Sequence, residues 1–294
     1  MEGGPSMESG PATEGGPSMA GEAHGVGRTE EVLDRASPAL ASAMLATLDR
    51  DPSALSRGDP LPPLFHWMYC RELAPGSQLD VDGHQKRGDF LPALPLSRRM
   101  WAGGRLKFEG TVRVGDGLRR RSTVLSVTPK AGRSGPLVLV TVEHRILGHD
   151  GEIVEEQDLV FLERPAEPLV LPDVPAANEE MEWSESVTPN AAMLFRFSAL
   201  TFNAHRIHYD RTYARDVEMY PDLVVHGPLT ALLLADLAVR RSGRPLRTLS
   251  FRARRPMFVD RTIALQGRRE GDRADLRALD ETGALAMSAQ ATLA

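Results

Sequence analysis

Residues 195–237, FRFSALTFNAHRIHYDRTYARDVEMYPDLVVHGPLTALLLADL, gather Asn203, His205, His208, Asp210, His226 and Gly227 close together. An imidazole that titrates near neutrality can take a proton from one atom and return it to another. A glycine at the start of a helix exposes a backbone N–H with no side chain in the way, and the helix dipole there favours negative charge. An asparagine accepts and donates hydrogen bonds but takes no proton. These parts suit a reaction in which a proton moves while charge develops on an oxygen. Plainer readings compete. His208 could be a satisfied loop histidine, His205 a structural one, Asp210 a loop anchor, and His226 a packed residue that fixes a helix start. His205, His208 and Asp210 also have the density of a metal site. No convincing further ligand accompanies them, and a metal would leave Asn203 and Gly227 unexplained.

The elements that must position these residues are partly legible. After His226-Gly227-Pro228 the chain reads LTALLLADLAVRR, apolar nearly all round, which predicts a buried helix with Pro228 as its first residue. Two stretches share one grammar: 29–49, with Ser37-Pro38, and 182–203, with Thr188-Pro189. A hydroxyl at N-cap and Pro at the first helical position start a helix, and apolar residues follow at helical spacing. Further on, RLKFEGTVRVGDGLRRRSTV from Arg105 matches TLSFRARRPMFVDRTIALQG from Thr248, each an extended stretch, a turn and another strand. Residues 138–146 and 284–293 read as the closing strands of each half. The chain is therefore expected to be a tandem duplication of a helix-plus-sheet unit, an α+β protein. Its divisions are a disordered tail over 1–27, with EGGPSM at 2–7 and again at 14–19, a first half over 28–163, a Pro/Glu-rich linker over 164–180 and a second half over 181–294. In the first half Trp101-Ala102-Gly103-Gly104 runs almost directly into a strand, so a long helix is expected only in the second.

The stretch 195–237 resembles the active-site region of MaoC-like enoyl-CoA hydratases, and more closely that of hydroxyacyl-thioester dehydratase type 2 and the mesaconyl-CoA and itaconyl-CoA hydratases. FHWMYCREL, KRGDFLPALPLSRRMWAGGRLKF and KAGRSGPLVLVTVEH extend the resemblance through the first half, from about Gly27 to the end. It implies a double hot-dog fold: two curved antiparallel sheets, a long central helix in the catalytic second half and a reduced helix in the supporting first half. His208 falls on the family's catalytic His and Gly227 on the Gly whose N–H forms the oxyanion hole. Asn203 falls on the wider family's catalytic Asp, and His205 on its Asn; both departures are similar to the closer subgroup. The implied reaction adds water to, or removes it from, the double bond beside a coenzyme A thioester, with no cofactor beyond coenzyme A in the substrate and no metal. Water must be held at the β-carbon, a proton moved to the α-carbon, and charge stabilised on the thioester oxygen. Asn203 would position the water while His208 moves its proton. Arg206, His226 and Pro228 are the candidate substrate-binding residues, Arg206 for a substrate carboxylate, with Arg98, Arg99 and Arg196 as other cations. The closer subgroup includes branched dicarboxylic substrates, so a mesaconyl- or itaconyl-type thioester is expected. The alternatives are a fatty (R)-3-hydroxyacyl-thioester dehydratase, a hot-dog thioesterase, which the absence of an acid at Asn203 disfavours, and a non-catalytic acyl-thioester binder.

Composition bounds the setting. The 294 residues are 41% hydrophobic and 26% charged, ordinary for a globular chain, and the net charge of −5 gives no general attraction to nucleic acid or anionic lipid. The longest apolar run, 229–237, is interrupted by Asp236 and followed by Arg240 and Arg241, too soon to span a bilayer. With one cysteine, Cys70, and no apparent leader, a cytoplasmic location is expected, and a homodimer is an open expectation. Cys70 reads as a small buried hydrophobe, and the arginine runs 119–121 and 252–255 as solvated strand faces. Asp80, Asp82 and His84 lie on a loop whose spacing carries no readable chemistry.

Overall fold

The computed structural model describes residues 25–132, 135–171, 177 and 179–294. Ten antiparallel strands form one sheet. Its first half is β1 (Thr29–Arg35), β2 (Arg98–Thr111), β3 (Gly117–Gly132), β4 (Gly135–Leu147) and β5 (Asp150–Leu162). Its second is β6 (Trp183–Val187), β7 (Leu246–Ala253), β8 (Ile263–Glu270), β9 (Arg273–Leu279) and β10 (Leu285–Leu293). The order β1-β3-β4-β5-β2-β7-β10-β9-β8-β6 reads the same from either edge once each strand is replaced by its counterpart five later. The duplication expected from the sequence is thus a pseudo-two-fold. Its axis passes between β2 and β7, where Leu106 faces Leu249, its own match in the repeat. The two expected sheets are joined edge to edge here through β2 and β7, which covers one edge of each half and leaves β1 and β6 outermost.

Two expectations shift. The strand 138–146 is β4, whose counterpart is β9; the counterpart of β10 is β5, so the first half closes one strand later than its apolar pattern indicates. Helix α2 (Ala191–Thr201) starts two residues later than Thr188-Pro189 implies. Asn190 is its N-cap, accepting from Met193 N–H, while the Thr188 hydroxyl bonds to that of Thr262. Helix α1 (Pro38–Thr47) begins at Ser37-Pro38 as read, though the Ser37 side chain makes no capping bond.

After the six-residue helix α3 (Arg211–Asp216) comes α4 (Gly227–Ser242), the long helix of the second half. Leu229, Leu232, Leu234 and Leu237 are fully buried against β7–β10. Each contributes roughly 1.5–3 kcal/mol of burial, so Leu232→Ala would cost about 2–5 kcal/mol. Gly243, in the left-handed region at φ 66°, ends it. In the first half residues 48–97 carry only two short 3-10 turns, at Phe65–Met68 and Gly76–Gln78, and space is left where a second long helix would lie.

Residues 1–24 of the expected tail lie outside the described residues; 25–27 form a turn, with Gly27 N–H donating to Val124 O. The expected linker lies partly outside them. Its described part has no helix or strand and is tied to the second half, Leu169 N–H donating to Met219 O and Arg164 pairing with Glu218. No helix among the described residues is long and apolar enough to cross a membrane.

Candidate active site

Helix α2 ends at Phe202 in the left-handed conformation, and the next residues are folded by their own side chains. The Asn203 Oδ1 accepts from His205 N–H at 3.0 Å, and Asp210 caps α3 by accepting from Tyr213 N–H. Between these local turns a 3-10 turn, Arg206–His208, aims His208 inward, and Val224 N–H donates to Ile207 O to clamp it against the approach to α4. The His208 Nδ1 lies 2.7 Å from Val224 O. A carbonyl only accepts, so Nδ1 carries the hydrogen and Nε2 keeps its lone pair. Burial lowers the pKa of His208 to about 4, outweighing the bond to Val224. The ring is therefore neutral near pH 7 and able to act as a base.

His226, fully buried, stacks on His208 with centroids 3.6 Å apart, and its Nε2 meets Ser198 Oγ at 2.8 Å. It stands behind His208 and is absent from the cavity wall, so the expected substrate contact is replaced by packing on the His208 ring. Gly227 and Pro228 are the first two residues of α4. The Gly227 N–H is one of the helix's donors with no partner inside the helix. A Cβ built at Gly227 would find only Trp101 O, 4.0 Å away. His208, Asn203, His205, Gly227 and Pro228 share the wall of one cavity of about 1000 Å³.

The first half completes this wall, as spacing within 195–237 could not reveal. Asp82 and His84 sit on a loop that Arg206 holds, Arg206 N–H donating to Asp82 O and its guanidinium to Val81 O. The His84 Nδ1 lies 2.9 Å from Asp82 Oδ2, and His84 N–H donates to Asp82 Oδ1. The His84 ring is 4.2 Å from that of His205, which stands edge-on to His208 at 5.5 Å. Burial and the Arg99 charge lower His84 to about 4. Burial opposes the charge on Asp82, but the bonds from His84 outweigh it and hold Asp82 at about 2. One state satisfies both: Asp82 ionised and His84 neutral. Asp82, His84 and His205 offer ligand atoms within 4.8 Å of one another. Both Asp82 oxygens accept from His84, and the Arg99 charge lies beside the group.

The cations separate sharply. Arg206 pairs with Asp210 at 2.7 Å and lies outside the cavity wall. The expected substrate contact is thus replaced by a local ion pair four residues long. Arg98 is buried on Glu218 at 2.9 Å, and Arg196 is exposed on α2. Arg99 alone of these four lines the cavity, two residues along β2 from Trp101. Burial lowers its pKa, countered by the more distant charges of Asp82 and Glu72, and it makes no ion pair or hydrogen bond with a described residue.

The hydroxyacyl-thioester dehydratase type 2 family model matches residues 64–259, a span that includes both the His84 loop and the start of α4. The chain belongs to this family. Hydroxyacyl-thioester dehydratase type 2 of Schizosaccharomyces pombe, a mitochondrial member, is 29% identical over 70% of this chain and 77% of its own. The mesaconyl-C(4)-CoA hydratase of Chloroflexus aurantiacus is 46% identical over 272 residues, 91% of this chain and 96% of that one. The fold of this dehydratase-family chain is similar to that of a MaoC-like dehydratase from Phytophthora capsici, with TM-score 0.70 over 95% of this chain and 98% of that one at 11% identity. It is also similar to a Mycobacterium tuberculosis protein described as a double hotdog fold, with TM-score 0.55 over 92% and 96% at 14% identity. The architecture is the double hot-dog.

Proposed function

We propose that this protein is a hydro-lyase that adds water across the α,β double bond of an acyl-CoA thioester carrying a carboxylate beside the reacting carbons, as mesaconyl-CoA does. The observation that carries the activity is the pairing on one cavity wall of His208, neutral with Nε2 free, and the unbonded N–H of Gly227 at the start of α4. Water bonds through oxygen to the β-carbon as His208 Nε2 takes its proton. The electron pair of the double bond moves toward the thioester, where the Gly227 N–H meets the charge on oxygen, and the His208 imidazolium then returns the proton to the α-carbon. The reverse sequence eliminates water.

Arg99 supports the acyl class. A half-buried guanidinium without a partner is costly until an anion meets it. The cavity is also lined by His144 of β4 and by Glu155 and Gln157 of β5. Such a wall suits a polar acyl group better than an aliphatic chain.

The test is an ultraviolet assay of mesaconyl-CoA and crotonyl-CoA. Loss of enoyl absorbance without free thiol is hydration; free thiol would mark a thioesterase. The expected kcat/KM favours mesaconyl-CoA by on the order of a hundredfold, since crotonyl-CoA leaves the cation unpaired, and Arg99→Gln should erase most of that preference. Equal constants in the native protein would remove the carboxylate from the substrate.

A further inference from the structure

If His208 moves the proton, something else must hold the water. The reaction needs a second acceptor because a water gripped at one hydrogen rotates, whereas one held at both presents its lone pair to carbon. Asn203 is poorly placed for this, since its Oδ1 is turned to His205 N–H. Two other groups converge on the corner beside His208. The His205 Nε2 is buried and has no partner among the described residues. A buried nitrogen of that kind calls for a polar guest. From the first half comes His84, whose Nδ1–H is committed to ionised Asp82, leaving Nε2 as an acceptor. The fold invests in placing this loop. At Gly83, with φ +90°, a Cβ would lie 1.9 Å from Ala204 O, so only glycine lets the chain press against the 203–208 loop.

We propose that the nucleophilic water is held by an imidazole pair drawn from the two halves, His205 and the Asp82-backed His84, in place of a carboxylate at position 203. The inference rests on the hydratase reading above. His84 accepts one water hydrogen, His205 Nε2–H donates to one lone pair of the water oxygen, His208 Nε2 takes the other hydrogen as the second lone pair forms the C–O bond, and Asp82 keeps His84 in the tautomer that accepts. The charged and titratable groups around His84 are Asp82, Arg87, Arg99, His205 and His208. The first half is then part of the catalytic centre rather than a support for it.

The experiment measures kcat and KM for mesaconyl-CoA and crotonyl-CoA, with melting temperatures, in the native protein, His84→Ala, Asp82→Asn, and His84→Ala combined with Asn203→Asp. Loss of the water's holder should lower kcat on the order of a hundredfold while KM stays within about threefold. Asp82→Asn keeps the shape and should show the same split. Aspartate at 203 keeps one oxygen on His205 N–H and offers the other to water, so the double variant should recover at least tenfold, which a merely structural role for His84 would not produce. Native protein that hydrates neither thioester overturns the hydratase reading and this inference with it. Native activity that survives His84→Ala within threefold, or a loss that Asn203→Asp leaves unrescued, overturns this inference alone.

Discussion

Gly227→Ala separates what the fold needs from what the reaction needs. The new Cβ would find no protein atom nearer than Trp101 O at 4.0 Å, and the backbone there lies outside the left-handed region. Alanine at an unstrained position restricts the unfolded chain and stabilises by about 0.4–1 kcal/mol. For a chain of this size that is a rise in Tm of roughly 1–4 °C. The open space beside the N–H, however, is where a thioester oxygen must come within about 3 Å. A methyl group there blocks the approach, and loss of one oxyanion donor typically costs on the order of 10²–10³ in rate. Calorimetry and the enoyl absorbance assay read the two quantities on one sample. A variant with near-native kcat/KM would show that the thioester oxygen does not bind at the start of α4. A Tm lowered by more than about 5 °C would show that the glycine serves the fold.

His208→Ala should lower kcat on the order of 10²–10⁴-fold with the protein still folded, as circular dichroism and turnover together would report. Near-native turnover would exclude His208 as the proton carrier. Ser198→Ala leaves the buried His226 Nε2 without its partner and should destabilise by about 1–3 kcal/mol in denaturant unfolding, with a smaller effect on rate. Acid should unfold the protein early. His84, His144 and His208 titrate near 4 when folded against an ordinary 6.5, so the unfolded chain binds more protons between those values. Stability is therefore full above pH 6.5 and falls as pH drops toward 4, by up to about 3 kcal/mol per histidine; a Tm flat from pH 7 to 4.5 would contradict their burial as neutral rings. Hydration activity should survive dialysis against a chelator, because both Asp82 oxygens are committed to His84; loss restored by added metal would reassign the Asp82–His84–His205 group.

Residue order was enough for the parts whose causes are local. The start of α4 at His226-Gly227-Pro228, the burial of its leucines, the compact turns around Asn203 and Asp210, and the repeat that became a two-fold between Leu106 and Leu249 all rest on residues a few positions apart or on a matching pattern. Helix starts are made by side chains one to four residues away, so they can be read in order. Even there the choice between two caps two residues apart escaped, since Asn190 and Thr188 are both good ones and the Thr262 hydroxyl took the second. Which distant groups share the cavity depends instead on long-range packing. His84 and Arg99 lie more than a hundred residues before His208, and they arrive there because β2 pairs with β7 and because Gly83 lets a loop of the first half press against Ala204. The same seating turned Arg206 outward to Asp210 and left the Arg99 guanidinium facing the cavity with no ion pair among the described residues. Several arginines had equal claims by composition. Which of them lines the cavity depended on the carboxylates that folding placed beside the others, and that is a property of packing rather than of spacing.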